Sequence, residues 1–141
     1  MRQLSLLDDA IRLAGVMASV RAAMRAAAGA PESDGRKALP DKLNALARHA
    51  GVKLTQGNQP SISKDTLDKW LSPSDTSHTP SLLAVLVFCR ATGSVEPLRM
   101  AAQALGLDLM TEEERKLCEY GRSIHEEREA RKRRRKLEND L

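Results

Sequence analysis

Leu67, Trp70 and Leu71 stand at i, i+3 and i+4 in a short stretch, Ile62 to Leu71, whose other residues are mostly polar. That spacing puts three large apolar side chains on one face of a helix and leaves Ser63, Lys64, Asp65 and Lys69 on the other side. A helix this short does not persist alone in water, so its apolar face must be plugged into a core. Just upstream, Leu-Ala-Arg-His-Ala-Gly-Val (46–52) reads as the end of a second helix. Gly51 can take the left-handed conformation that closes it. The small Ala47 allows another helix to come close.

The rest of the chain must supply that core with few aromatic residues. Of 141 residues, 41% are hydrophobic but only 2% aromatic, with one Phe, one Tyr and one Trp. A core of Leu, Ala, Val and Met favours helix packing over β-sandwiches. It also argues against modules that stack bases on aromatic platforms. The expected fold is all-α, a compact helical bundle with a long basic C-terminal helix. Cap residues set the expected boundaries. The first helix runs from Ser5, as its cap, to Ala28. The second starts near Leu39, with Pro40 in its first turn, and ends before Gly51. The third is capped by Ser63 and stops before Pro73. Thr79 then caps a fourth, with Pro80 at its first position, and Ser94 a fifth, with Pro97 in its first turn. The last opens on a capping box, Thr111 to Glu114. Three regions follow: an N-terminal helix over 1–30 suited to oligomerisation, a bundle over 36–110, and a C-terminal helix over 111–141.

The two short helices together resemble a helix-turn-helix, in which the second helix enters the major groove of DNA. The turn is enlarged, since Ile62 stands ten positions after Val52. On this reading Ser63, Lys64, Asp65 and Lys69 face bases, Thr66 touches the backbone, and Lys42, Arg48 and Lys53 hold phosphates. Asp65 can accept from a cytosine amino group. Residues 36–70 carry seven Lys and Arg against three Asp, a net +4, so the reading head is expected to carry a positive field. The stretch 53–61 reads as a surface loop, with a small wing against the DNA as the alternative. Residues 128–136 hold seven cations against one Glu, a net +6. That tail suits a phosphate clamp, an RNA-binding helix or a solvated helix end. No heptad continues into it, so no coiled coil is expected there.

Catalytic and metal chemistry find little footing. Cys89 and Cys118 lack CxxC spacing, and His49, His78 and His125 fall in separate elements, so neither a zinc site nor a disulfide framework is expected. There is no Gly-rich phosphate loop, nucleophile elbow or pair of catalytic carboxylates. The expectation is a non-enzymatic protein without metal, cofactor or small-molecule ligand. Asp8, Asp9 and Arg12 interrupt the first apolar stretch, which does not read as a signal peptide. The run Leu82 to Cys89 is too short to span a bilayer. A cytoplasmic protein with no membrane partner is expected.

From Ser77 the chain reads Ser-His-Thr-Pro-Ser-Leu-Leu-Ala-Val-Leu, then Phe-Cys-Arg-Ala-Thr-Gly-Ser-Val-Glu-Pro-Leu-Arg (Phe88 to Arg99), then Ala-Leu-Gly-Leu-Asp-Leu. Together with the preceding helix pair this is similar to the family of phage CII-type regulatory proteins, over roughly residues 39–125. The resemblance implies a transcriptional regulator of a temperate phage or prophage. Such a protein acts in the bacterial host cell and binds repeated half-sites in double-stranded DNA as a homodimer or higher homo-oligomer. The residues alone lead to a DNA-binding protein. The alternatives are an RNA-binding protein acting through the arginine-rich tail and a non-enzymatic phage adaptor.

Overall fold

The computed structural model describes the backbone from Arg2 to Leu141 and side chains from Leu6 onward. Six helices follow one another: α1 (Arg2–Ala28), α2 (Asp34–Ala50), α3 (Lys64–Leu71), α4 (Leu82–Thr92), α5 (Glu96–Gln103) and α6 (Glu112–Asn139). No strand occurs among the described residues, and the fold is all-α as the composition predicts. The chain divides into two units, Met1–Asp108 and Leu109–Leu141.

In the first unit, the C-terminal half of α1 contributes Val20, Met24 and Ala28 to a shared core. Leu39, Leu43 and Ala47 of α2 meet them there, with Leu67, Trp70 and Leu71 of α3 and Ala84, Val85, Val87 and Phe88 of α4. α5 lies along α1. In the helix read over 1–30 as suited to oligomerisation, Val20, Met24 and Ala28 are buried in this bundle. Its first turns differ: Leu6, Leu7, Ile11 and Leu13 are all exposed.

Several helix starts move from their expected places, and at α2 and α4 the reason is a nearby hydroxyl that caps the helix better. The Ser5 cap lies outside the described side chains, and α1 already runs from Arg2. α2 begins at Asp34 rather than near Leu39, because the Ser33 hydroxyl accepts from the Arg36 N–H at 3.2 Å. Pro40 thus falls inside α2, not in its first turn. An interior proline forfeits one helical hydrogen bond; the Pro40 ring is buried. α4 is capped by Ser81, whose hydroxyl accepts from Ala84 N–H at 3.1 Å, so Thr79 and Pro80 precede the helix. At α5 the N-cap is Val95, and Ser94 only reaches the Glu96 N–H at 3.4 Å. The Thr111–Glu114 capping box forms in full.

The second unit consists mainly of α6. No residue of this 28-residue helix is buried. Its first turn carries Glu112, Glu113 and Glu114 and its last turn Lys136. That charge order matches the helix macrodipole. Within it, Arg131 pairs with Glu127 at 2.9 Å and Lys132 with Glu129 at 3.5 Å. No helix of the described residues is long and apolar enough to cross a membrane.

Candidate nucleic-acid interface

α2 ends where the sequence predicts. Gly51 adopts φ 68°, and Val52 N–H returns to the Ala47 carbonyl at 2.9 Å. The enlarged turn that follows is an irregular loop and not a hairpin wing, since no strand forms over 53–61. Leu54 and Ile62 pin it to the core at either end. Between them residues 56–61 lie exposed.

One residue holds this open turn in register. The Asn44 side-chain amide donates to the Ile62 carbonyl at 2.9 Å, while its oxygen accepts from the Ile62 N–H at 2.8 Å. An amide carries both a donor and an acceptor, so it pairs with one residue's backbone as a neighbouring strand would. The entry to α3 is thereby tied to the middle of α2. Ser63 then caps α3 through Thr66 N–H at 3.2 Å.

The far end of α3 is held by α1. The buried Arg21 guanidinium donates through Nε to Trp70 O (2.6 Å), through one terminal nitrogen to Asp75 O (2.5 Å), and through the other to Lys69 O (2.6 Å) and Ser72 O (2.7 Å). Arg25 adds a bond to Leu71 O at 2.8 Å. The last carbonyls of a helix lack intrahelical partners and carry partial negative charge. A guanidinium, with five donors in a fixed fork, satisfies several of them at once. The sequence singles out neither Asn44 nor Arg21. A polar residue at a core-facing helical position, as Arg21 is between Val20 and Met24, is the one available signal.

α3 is divided as its spacing predicts. Leu67, Trp70 and Leu71 are buried, while Ser63, Lys64, Asp65 and Lys69 are all exposed. Thr66 is half-buried, and its hydroxyl lies 3.3 Å from that of Ser63. The positively charged field read from residues 36–70 needs one correction. Arg36 is buried and turned inward, pairing with Asp68 at 2.9 Å and donating to Gly29 O at 3.2 Å. It holds α2 to α3 and is not presented to a ligand, although the same bridge neutralises Asp68 beside the exposed face.

The three outlying lysine and arginine positions are not brought together. Arg48 lies one turn after Asn44, on the flank of α2 that clasps the start of α3. Lys53 is exposed at the start of the loop. Lys42 lies one turn before Leu46 and two before His49, residues that line a groove with Leu86 and Arg90 of α4. It sits on the opposite flank of α2. Ser63, Lys64, Asp65, Thr66 and Lys69 thus share one short helix and its cap, Arg48 and Lys53 are exposed on α2 and in the loop, and Lys42 lies on another flank of α2 than Arg48.

Beyond α3 the chain turns on Asp75. Burial opposes ionisation of its carboxyl, but hydrogen bonds from the His78 N–H and imidazole and from the Ser77 N–H outweigh that and hold its pKa at about 2. The group is depressed from 3.8. Its contribution to stability is therefore complete above pH 3.8 and is lost as pH falls toward 2. Carboxyl-carbon NMR should show Asp75 titrating at about 2. Asp75→Asn should remove that titration and loosen the 75–78 turn. A midpoint for Asp75 near 3.8 would contradict the geometry.

Among the described residues no cluster of three His, Cys, Asp or Glu side chains could hold a metal ion, and both cysteines are free thiols. In α6, Arg128 and residues 131–136 are all exposed along a continuous helix. Compared with family models, curated proteins and solved structures, the chain matches none.

Proposed function

We propose that this protein binds double-stranded DNA sequence-specifically, with α3 in the major groove, and acts as a homo-oligomeric transcriptional regulator. The observation that carries the reading is the build of α3. A short helix is fixed at its start by Asn44 and at its end by Arg21 and Arg25. It turns three apolar residues into the core and offers Ser63, Lys64, Asp65 and Lys69 outward. A reading helix needs this rigidity, because base recognition depends on side chains held within hydrogen-bonding reach of base edges. Arg48 and Lys53 would flank it on the phosphates, and Lys42 makes at most an outlying contact. One such helix makes few base contacts, so two copies on paired half-sites are required for useful affinity. A phage or prophage setting, in the cytoplasm of a bacterial host, rests on the resemblance to CII-type regulators. No catalytic role is proposed.

Lys64→Ala combined with Lys69→Ala tests the reading. Neither side chain is buried, so thermal stability should stay within about 1 °C of the parent, as for surface substitutions generally. Affinity for a selected site should fall by at least about tenfold. The slope of log affinity against log salt should shrink by roughly one for each of the two lysines that neutralises a phosphate. Fluorescence anisotropy across a salt series measures both. Unchanged affinity would remove α3 from the interface.

The exposed basic half of α6 favours a second reading, RNA binding through the tail. Removing residues 126–141 separates the two. RNA binding would be abolished, whereas specific DNA binding would only weaken. Retention of activity by both the double-lysine variant and the truncated chain would favour the adaptor alternative.

A further inference from the structure

α6 is a 28-residue helix without a buried residue, and its surface carries an asymmetric pattern. Leu117 and Tyr120 are exposed, and with Ile124 they stand at i, i+3 and i+7 on one face. Charge is sorted along the axis. Residues 112–127 hold six Glu against Arg115, Lys116 and Arg122, a net −3. Residues 128–139 hold seven cations against Glu129 and Glu138, a net +5.

We infer that α6 pairs antiparallel with α6 of a second copy of this chain. The charge order selects the orientation. In a parallel pair the two +5 segments would lie side by side and repel. In an antiparallel pair centred on residue 122, residues 112–116 of each copy, with Glu112, Glu113 and Glu114, lie against residues 128–132 of the other, with Arg128, Arg131 and Lys132, and the short apolar face meets itself at the centre. Leu117, Tyr120 and Ile124 fall on the three-four spacing of a short two-helix seam, and Glu113, Glu127 and Arg131 occupy the flanking positions of the same register with charge. Aligned on that seam, Tyr120 of each helix packs against Ile124 of the other. Glu113 then comes beside Arg131 of the partner copy and Glu114 beside its Arg128, and the two-fold axis repeats each pair. Gly121 lies near the axis, where two backbones can approach closely. The seam is short and its ends are ionic, so the pair should be salt-sensitive. It would also supply the two-copy state that the DNA-binding reading needs, without resting on that reading.

Sedimentation velocity of the full chain over a concentration series, at low and at high salt, tests the pairing together with charge swaps. Arg128→Glu with Arg131→Glu should weaken the dimer by about tenfold or more, as should Glu113→Arg with Glu114→Arg, since each replaces attraction by repulsion at both ends; Glu114→Arg also opens the capping box of α6, an effect that the combined variant retains while restoring the charge pairs. All four positions are exposed, and circular dichroism checks that helicity survives. The four changes together restore opposite charges across the seam, and the dimer should recover. Orientation is read from Gly121→Cys in a Cys118→Ser background. An added Cβ at 121 meets nothing, and oxidation should link two copies through position 121. A monomer at every concentration, a dimer indifferent to the reversals, or failure of the combined variant to recover would overturn the pairing. Indifference would move the contact to the exposed Leu6–Leu13 face of α1.

Discussion

Arg21→Ala should destabilise the first unit by about 3 kcal/mol, an unusually large effect for an arginine. Four hydrogen bonds disappear at once, to the carbonyls of Lys69, Trp70, Ser72 and Asp75. Hydrogen bonds to a charged donor contribute roughly 1.5–3 kcal/mol each when measured singly. They do not add here, because the space vacated by the side chain admits water to some of the carbonyls. Arg21→Met separates shape from hydrogen bonding: it refills much of the volume but leaves the carbonyls unpaired, so it should recover only a minor part of the loss. Arg21→Lys should recover more but not all, since one ammonium with three donors cannot reach four acceptors spread from Lys69 to Asp75. The melting temperature should fall by roughly 10 °C for Arg21→Ala. Hydrogen exchange should rise first at the end of α3 and through residues 72–78. Because the side chain lies outside the proposed DNA face, any drop in DNA affinity in this variant should track the loosening of α3. A melting temperature within about 1 °C of the parent would mean that the guanidinium clamp does not hold α3 in solution.

Phe88→Ala should be at least as severe. This is the chain's one phenylalanine, and its side chain is wholly buried in α4, in a core shared with α1, α2 and α3. Truncating a buried Phe costs about 3–5 kcal/mol from lost transfer energy and the cavity left behind. A domain of this size has a total stability of only about 5–15 kcal/mol. The variant should therefore unfold in urea at a much lower midpoint, or populate an unfolded fraction without denaturant. Phe88→Leu, which keeps most of the volume, should cost less than half as much. Equal midpoints for Phe88→Ala and the parent would show that α4 does not close the core as described.

These two positions also mark what a sequence can and cannot disclose. Phe88 lies in the apolar run Leu82–Cys89, which by its length and composition belongs to a helix in the core. The i, i+3, i+4 spacing of Leu67, Trp70 and Leu71 likewise places α3 and its exposed face, and Gly51 the end of α2. Local patterns determine such features, and the fold class follows from them. Arg21 is not legible, because its partners lie about fifty residues away and are backbone carbonyls, which every residue possesses. Asn44 escapes for a similar reason. Helix starts go astray where two candidate caps compete, as with Ser33 against Pro40 and Ser81 against Thr79. The choice there depends on which hydroxyl meets an N–H, and single-residue preferences do not resolve it. Arg36 shows the limit of counting charge along a chain. It adds to the positive total, yet the fold turns it inward onto Asp68. Spacing along α2 separates Lys42 from Arg48, but which of the two lies toward α3 is a property of the packed helices.

Reading of DNA sequence by α3 is the proposal on which the function rests. Its most direct test is selection from a random duplex library by the full chain at physiological salt, with the bound pool sequenced for the parent and for the Lys64→Ala, Lys69→Ala double variant. The parent should enrich a repeated half-site. In the double variant that motif should weaken or change at specific base positions. A pool without any enriched motif, or the same motif at the same strength in both proteins, would contradict it.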